Sequence, residues 1–384
     1  MSASFHHQSD GWYLRLAKPE DNDDLCRLFK SIHLKSSLEL TQERDPDFFA
    51  MLRMHLRPYY AFTGLTNEGE VGGCASMPRR TAWDGDDKIE SGYLCDLRIV
   101  PQHRSRGALG EAFDAIFELA EKEYGGELFT TVIFDTNERA KNALVGKKEG
   151  TLSEKRRLQP RYREMTKFHM TSVHFTTPKP GPSPAVKEAT SADRDELFQF
   201  LIARQKRRLL GECLDEEMLT RRLATWPGFS LEDFFIYRNR QGKIVGCLAP
   251  WDTGAFKRTR VLGYHGSMAW VRRGFDLMAR LRGYPPLPSP GECFRFSFLT
   301  HLEVVDDDPA VLADLLRAAY HRLRPLGGHY MAAMIPRGSA LEPAFSDFMV
   351  TRTPMTLYAV HRRNSRFDGR DFRTLHPGFE MALS

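Results

Sequence analysis

Hydrophobic and polar positions along this chain fall into two series that run in the same order. Residues 12–16 (WYLRL) alternate as a short strand, and Lys18-Pro19-Glu20-Asp21 follows with the proline and acids that open a helix. Leu25, Leu28, Phe29 and Ile32 then recur at i, i+3, i+4 and i+7, the spacing of one helix face. A hairpin is predicted next, from an apolar run over 59–65, a turn through Asn67-Glu68-Gly69 and a second run over 71–77. The later series has a strand over 185–189, a cap from Thr190 to Asp193 and a helix face of Leu197, Phe198, Leu201 and Ile202. Its hairpin spans 233–238 and 244–249 and turns through Gln241-Gly242.

The repetition extends to the letters. Gly69-Glu-Val-Gly-Gly-Cys74 returns as Gly242-Lys-Ile-Val-Gly-Cys247, an offset of 173 residues. Thr176 to Pro184 holds four prolines in nine residues, which neither continue a helix nor pair inside a sheet, so an extended linker is predicted there. The expected organisation is a domain over 1–175, a linker over 176–184 and a second domain over 185–384, in keeping with roughly 150 residues per domain.

The most informative segment runs from Tyr93 to Gly110. An apolar strand ends at Pro101, a basic loop with Gly107 follows, and Phe113, Ile116, Phe117 and Ala120 mark an amphipathic helix. Strand, loop and helix N-terminus together make an anion site. Backbone N–H groups over Arg104, Ser105, Arg106, Gly107, Ala108, Leu109 and Gly110 are left unpaired by the first helical turn and can converge on phosphate oxygens, with Arg104 and Arg106 adding positive potential. A Walker A loop is excluded because no G-x-x-x-x-G-K-[ST] occurs, and a Rossmann fingerprint is absent.

At these residues the sequence resembles the GCN5-related N-acetyltransferase (GNAT) family, which places an apolar strand before an R-x-x-G-x-G/A loop. Arg104, Gly107 and the preceding Asp96-Leu-Arg-Ile-Val-Pro101 carry the match; Leu109 stands where a small residue is usual, with Gly110 one position later. A strand over 128–134 followed by Asn137-x-x-Ala140 looks like the family's Asn-led helix beside the coenzyme. The resemblance implies an α+β fold of two tandem GNAT-like domains, each a mixed, largely antiparallel twisted sheet flanked by helices. It also implies transfer of an acetyl or other acyl group from coenzyme A to an amine, with acetyl-CoA or another acyl-CoA as cosubstrate.

Residue roles follow from the same resemblance. The loop amides hold the pyrophosphate, Ile99 and Val100 match the positions whose strand amides meet the pantetheine and thioester carbonyl, and Asn137 lies beside the coenzyme. Asp96, on the strand before the loop, is the candidate base; a carboxylate satisfied by an arginine partner is the competing reading. The family's acidic Tyr is missing, since Leu144 and Val145 occupy its neighbourhood, which leaves Tyr162 or water as proton donor. That absence motivates the alternative function, a non-catalytic acyl-CoA-binding or regulatory module.

In the second half the corresponding strand is predicted over 293–305 and the helix after it starts near Pro309, but Asp306-Asp-Asp308 stands between them. Three carboxylates suit helix capping and oppose a pyrophosphate by roughly a kcal/mol each at loop distances, so this copy is expected to have lost the coenzyme site. A strand over 330–336, a helix over 341–348 and a strand over 355–361 complete the repeat.

Composition adds boundaries to this picture. With 41% hydrophobic and 27% charged residues the chain is an ordinary globular one, which excludes bulk disorder. No run of about 18 apolar residues predicts a membrane span, and MSASFHHQSD lacks the features of a secretory signal, which points to the cytoplasm. Six cysteines without a C-x-x-C pair and histidines without ligand spacing predict neither disulfides nor a metal. Up to residue 180 there are 26 basic and 27 acidic residues; beyond it, 29 and 23, so the net positive charge belongs to the second half. Arg272, Arg273, Arg280 and Arg282 read either as an anion surface or as the polar side of an ordinary amphipathic helix. A small-molecule amine is the expected partner. Nucleic acid is disfavoured because the R-x-x-G loop suits coenzyme A, and a homodimer is left open.

Overall fold

The computed structural model describes residues 6–9, 12–33, 36–101, 108–146 and 160–384. Its first half contains β1 (His6–Ser9), β2 (Trp12–Leu16), α1 (Asn22–Ser31), β3 (Leu38–Glu43), α2 (Ala50–Arg53), β4 (Tyr59–Leu65), β5 (Val71–Asp84), β6 (Asp87–Tyr93) and β7 (Cys95–Ile99). α3 (Ala108–Tyr124), β8 (Leu128–Phe134), α4 (Glu138–Ala140) and β9 (Arg161–His174) complete it. The second half follows with β10 (Val186–Glu188), α5 (Arg194–Lys206), α6 (Glu216–Thr225), β11 (Phe235–Arg238), β12 (Ile244–Trp251), β13 (Arg258–Tyr264) and α7 (Ser267–Arg282). It closes with β14 (Phe296–Val304), α8 (Pro309–Leu323), β15 (Tyr330–Pro336) and β16 (Val350–His361).

The fold is mixed α/β, with a largely antiparallel sheet flanked by helices, and fourteen of its strands form one sheet. Its order is β1-β2-β4-β5-β6-β8-β16-β9-β15-β14-β12-β11-β10, with β7 attached to β5. The strands that end the two halves are exchanged. β16 pairs with β8 of the first half, Met355 opposite Phe134 through His361 opposite Leu128, and on its other edge with β9, Val350 opposite Val173 through His361 opposite Arg161. β9 in turn pairs antiparallel with β15.

The apolar run in β16 has a physical reason. Leu357 and Ala359 lie in a core cluster that joins both halves, whereas Tyr358 and Val360 lie in the cluster around Phe113, Phe117 and Phe129 of the first half. Side chains alternate across a strand, and here both faces are covered, so no polar face is left. Leu357, Ala359, Val360 and His361 are fully buried.

A separate two-stranded sheet pairs β3 with β13 and ties the halves together a second time. Buried Glu43 of β3 receives Arg260 Nε at 2.5 Å and Nη2 at 2.9 Å. Neither strand was predicted: Leu38–Glu43 reads LELTQE, whose polar residues gain a reason only when β13 lies beside them. β5 is twice as long as the predicted run over 71–77, continuing to Asp84 and returning as the unpredicted β6. The helix predicted over 341–348 is a single tight turn, Glu342–Phe345, opened by Pro343. Among the described residues no helix is long and apolar enough to cross a membrane.

Because β8 and β9 both lean on β16, a fragment ending at residue 175 is expected to show no cooperative thermal transition by circular dichroism. A fragment that melts cooperatively, with the near-ultraviolet signal of a packed core, contradicts this.

Candidate active site

The site begins where two neighbouring strands part. β6 runs parallel to β8 through Ser91–Leu128, Gly92–Phe129 and Tyr93–Thr130. One more rung follows: Leu94 N–H donates to the Thr130 carbonyl at 2.8 Å, and Thr131 Oγ1 donates to the Leu94 carbonyl at 2.7 Å. Beyond it β7 pairs with β5 alone among the described strands, with a register shift opposite Cys74–Ser76. Asp96 takes φ 56° at this irregularity, a left-handed conformation that a bulge imposes on a non-glycine residue. The wedge between β7 and β8 opens on a cavity of about 570 Å³.

Both halves of the chain line that cavity. Leu94, Phe113, Ile116 and Ile133 come from the first half; Phe294, Phe296, Phe298 and Tyr330 come from the second, with the rings of Phe296 and Tyr330 stacked at 4.7 Å. Where the walls meet, three charged side chains are buried. Arg44 Nη2 lies 2.9 Å from Asp96 Oδ1, with side chains only 3% and 7% exposed. Lys257 donates from Nζ to the backbone oxygen of Ser384 and stands 5.5 Å from the Phe298 ring centroid.

These groups shift one another. Burial by itself raises the Asp96 carboxyl, but the Arg44 charge, with Arg98 and Lys257 behind it, holds it below the ordinary carboxylate range. Burial pushes Lys257 down to about 7, helped by the repulsion of Arg44 and opposed by Asp96. Tyr162, also on the cavity wall, is raised by burial alone and stays a phenol.

The residues expected from the sequence divide as follows. Asp96, Ile99, Leu109 and Asn137 line the cavity together. Asn137 also caps the next turn, Oδ1 accepting from Ala140 N–H at 3.1 Å, so its side chain has a local structural partner. Val100 does not line the cavity, and its N–H donates to the Gly72 carbonyl at 2.9 Å, so the amide expected to face the pantetheine is turned to β5 instead. Ala108 and Gly110 fall in the first turn of α3. Arg104, Ser105, Arg106 and Gly107 lie outside the described residues. Arg44 and Lys257 were missed. Arg44 follows a strand that has no apolar signature, and Lys257 belongs to the half whose own loop had argued against a site.

That second half has an equivalent wedge, filled from within. β14 runs parallel to β15 from Phe296 to Phe298 and then continues with β12 alone among the described strands. His301 takes φ 51°, as Asp96 does in β7. Its N–H donates to Glu380 Oε2 at 3.0 Å, and the buried Met381, Ala382 and Leu383 pack behind. Asp308 caps α8 through Ala310 N–H at 2.8 Å. Among the described residues no three His, Cys, Asp or Glu side chains are grouped to hold a metal ion.

Removing Arg44 strands a buried carboxylate. Arg44→Met is expected to lower stability by about 3 kcal/mol or more at neutral pH in denaturant unfolding. Asp96 is depressed in the fold, so the stability it contributes is present above the ordinary carboxylate range of about 4 and is lost as pH falls through its lower folded value. The gap between variant and parent should therefore narrow in acid.

No protein-family model matches the chain, and no curated sequence matches it. Solved structures do. Saccharomyces cerevisiae N-myristoyltransferase with bound myristoyl-CoA and inhibitors superposes with a TM-score of 0.62 at 10% identity, covering 98% of this chain and 88% of that one. A GCN5-related N-acetyltransferase from Sphaerobacter thermophilus gives 0.55 at 12% identity, covering 98% and 100%. The glucosamine N-acetyltransferase region of a fungal multi-domain β-N-acetylglucosaminidase also gives 0.55, at 11% identity over 92% of this chain and 38% of that one. The order of strands, the wedge between β7 and β8 and these superpositions agree that this chain has the fold of the GCN5-related N-acetyltransferases and N-myristoyltransferase.

Proposed function

We propose that this protein transfers an acyl group from coenzyme A to an amine, its first half holding the coenzyme. The observation that carries this reading is the wedge between β7 and β8, which opens on a cavity where Asp96, Arg44 and Lys257 converge at an apolar wall. In this reading the pyrophosphate rests on the loop over Arg104, Ser105, Arg106 and Gly107 and on the first amides of α3, where the helix dipole favours an anion. Ile99 lies along the pantetheine and Asn137 beside it. The two halves are tandem GNAT-like domains, 1–175 and 185–384, and the second has exchanged coenzyme binding for an internal plug.

The reaction needs a neutral amine. An ammonium drawn in by the Asp96 carboxylate gives its proton to Lys257, whose value near 7 matches the task better than a carboxylate held low. The amine nitrogen then bonds to the thioester carbon, the C–S bond breaks, and the second proton that the nitrogen sheds passes to the departing thiolate through Tyr162 or water. Arg44, paired with Asp96 on the cavity wall, keeps a positive charge beside the thioester oxygen as that oxygen gains negative charge. The cavity of about 570 Å³ also takes the pantetheine in this reading, and its apolar wall of Phe294, Phe296, Phe298 and Tyr330 favours a longer acyl chain or an acceptor with an apolar body.

Calorimetry with acetyl-CoA and a long-chain acyl-CoA tests the coenzyme site. Binding by the parent, weakened in Arg104→Ala/Arg106→Ala, is expected; no binding of either ligand by the parent sinks the reading. In an amine screen followed by thiol release, Lys257→Met should be slower by about 100-fold or more. The parent's kcat/KM should climb as pH rises through about 7, because Lys257 must be neutral to accept a proton. An unchanged profile in the variant removes Lys257 from the proposal.

A further inference from the structure

α7 is attached to the body by one narrow face. Ala279 is its buried residue, and Met268, Arg272, Phe275 and Asp276 are half-buried beside it. Their spacing places them on one side of the helix, where Arg272 lies 4.8 Å from the Tyr264 ring centroid and Phe275 meets Tyr284 at 5.3 Å.

The opposite side inverts the usual pattern of a surface helix, which turns polar residues to water. Trp270, Leu277 and Leu281 follow one another at i, i+7 and i+11 and are 70%, 59% and 72% exposed. Gly274 completes their row, with open space where a side chain would project. Val271 and Met278, also exposed, widen this apolar face on one flank. Arg273 and Arg280 border the other flank, and Arg282 ends the helix. Asp276, the helix's single acid, is engaged by Arg272 at 3.4 Å, so Arg273, Arg280 and Arg282 stand as surplus positive charge.

We propose that α7 seats the protein on a lipid bilayer carrying anionic headgroups. Trp and Leu side chains on one face with flanking arginines are what the boundary between headgroups and acyl chains accepts: the apolar row enters it and the arginine stems reach back to phosphate. A single projecting helix with no acid on its outer face offers a second protein surface little to pair with, whereas its three arginines complement an anionic leaflet. The inner face adds a reason. Met268 lines the apolar cavity, as do Tyr264 before the helix and Leu287 after it, so a seated α7 brings that cavity beside a store of apolar substrates.

The test is sedimentation of the full chain with phosphatidylcholine vesicles, with and without phosphatidylglycerol. Binding to the anionic vesicles, weakened by salt, is expected. Trp270→Ser/Leu281→Ser should reduce it at least about tenfold, and Arg273→Glu/Arg280→Glu should remove the preference for phosphatidylglycerol. All four positions are exposed, so circular dichroism of each variant should match the parent. Failure to sediment with either vesicle overturns the proposal, as does equal binding by parent and variants. Self-association in solution that Trp270→Ser/Leu281→Ser abolishes, without vesicle binding, identifies the face as a contact between two copies and overturns it equally. None of these outcomes depends on acyl transfer.

Discussion

The placement of β16 between β8 and β9 is the constraint on which the rest of this molecule depends. A strand buried on both faces joins the core around Phe129 to the core around Phe168 and Phe298, and it fixes the first half against the second at a defined register. Without that register the cavity would lack a wall, since Met355 of β16 lines it together with side chains from both halves. The β3–β13 sheet reinforces the arrangement from the other side, and Lys257 lies immediately before β13. The charged centre is thus assembled by topology, with Asp96 from one half and Lys257 from the other.

Two wedges of similar backbone geometry have opposite electrostatic outcomes. In the first, Asp96 and Arg44 pair with each other on the wall of a cavity large enough for a ligand. In the second, charge is satisfied internally: Glu303 receives Arg208 at 2.6 Å and Arg204 at 3.3 Å, and Glu212 receives Arg222 at 2.6 Å. Burial and the neighbouring Arg222 drive His301 well below its ordinary value, and burial raises Glu380. A polar cluster with its carboxylates paired in this way stabilises one packing of the two halves.

What could be read from the sequence was local. The strand from Tyr93, the α3 periodicity and Asn137 lie within one short stretch, so the strand, loop and helix that carry the family resemblance could be read from neighbouring residues, and Asp308 could be read as a cap because capping needs only neighbours. Asp96 could be placed on its strand, but not beside Arg44, which is 52 residues away. Lys257 carries no motif; its significance comes from burial and from Asp96 across the halves. Val100 shows the limit of transferring a role by position, since one hydrogen bond to Gly72 decides where its amide points. For α7 the periodicity predicted the helix and its arginines, while only packing could reveal that the apolar row faces outward.

Exchange of the closing strands has a consequence for how the chain reaches this state. β8 and β9 are complete long before β16 has been synthesised, and Leu128 must wait for His361. Until then the first half carries two sheet edges and an apolar slot that only one late segment fits. Contacts this distant in sequence make folding slow, because a large loop must close before any pairing rewards it. Such an intermediate exposes the features that drive wrong strand pairing between chains, so the protein's yield in a cell is set by how well those two edges are shielded during the wait.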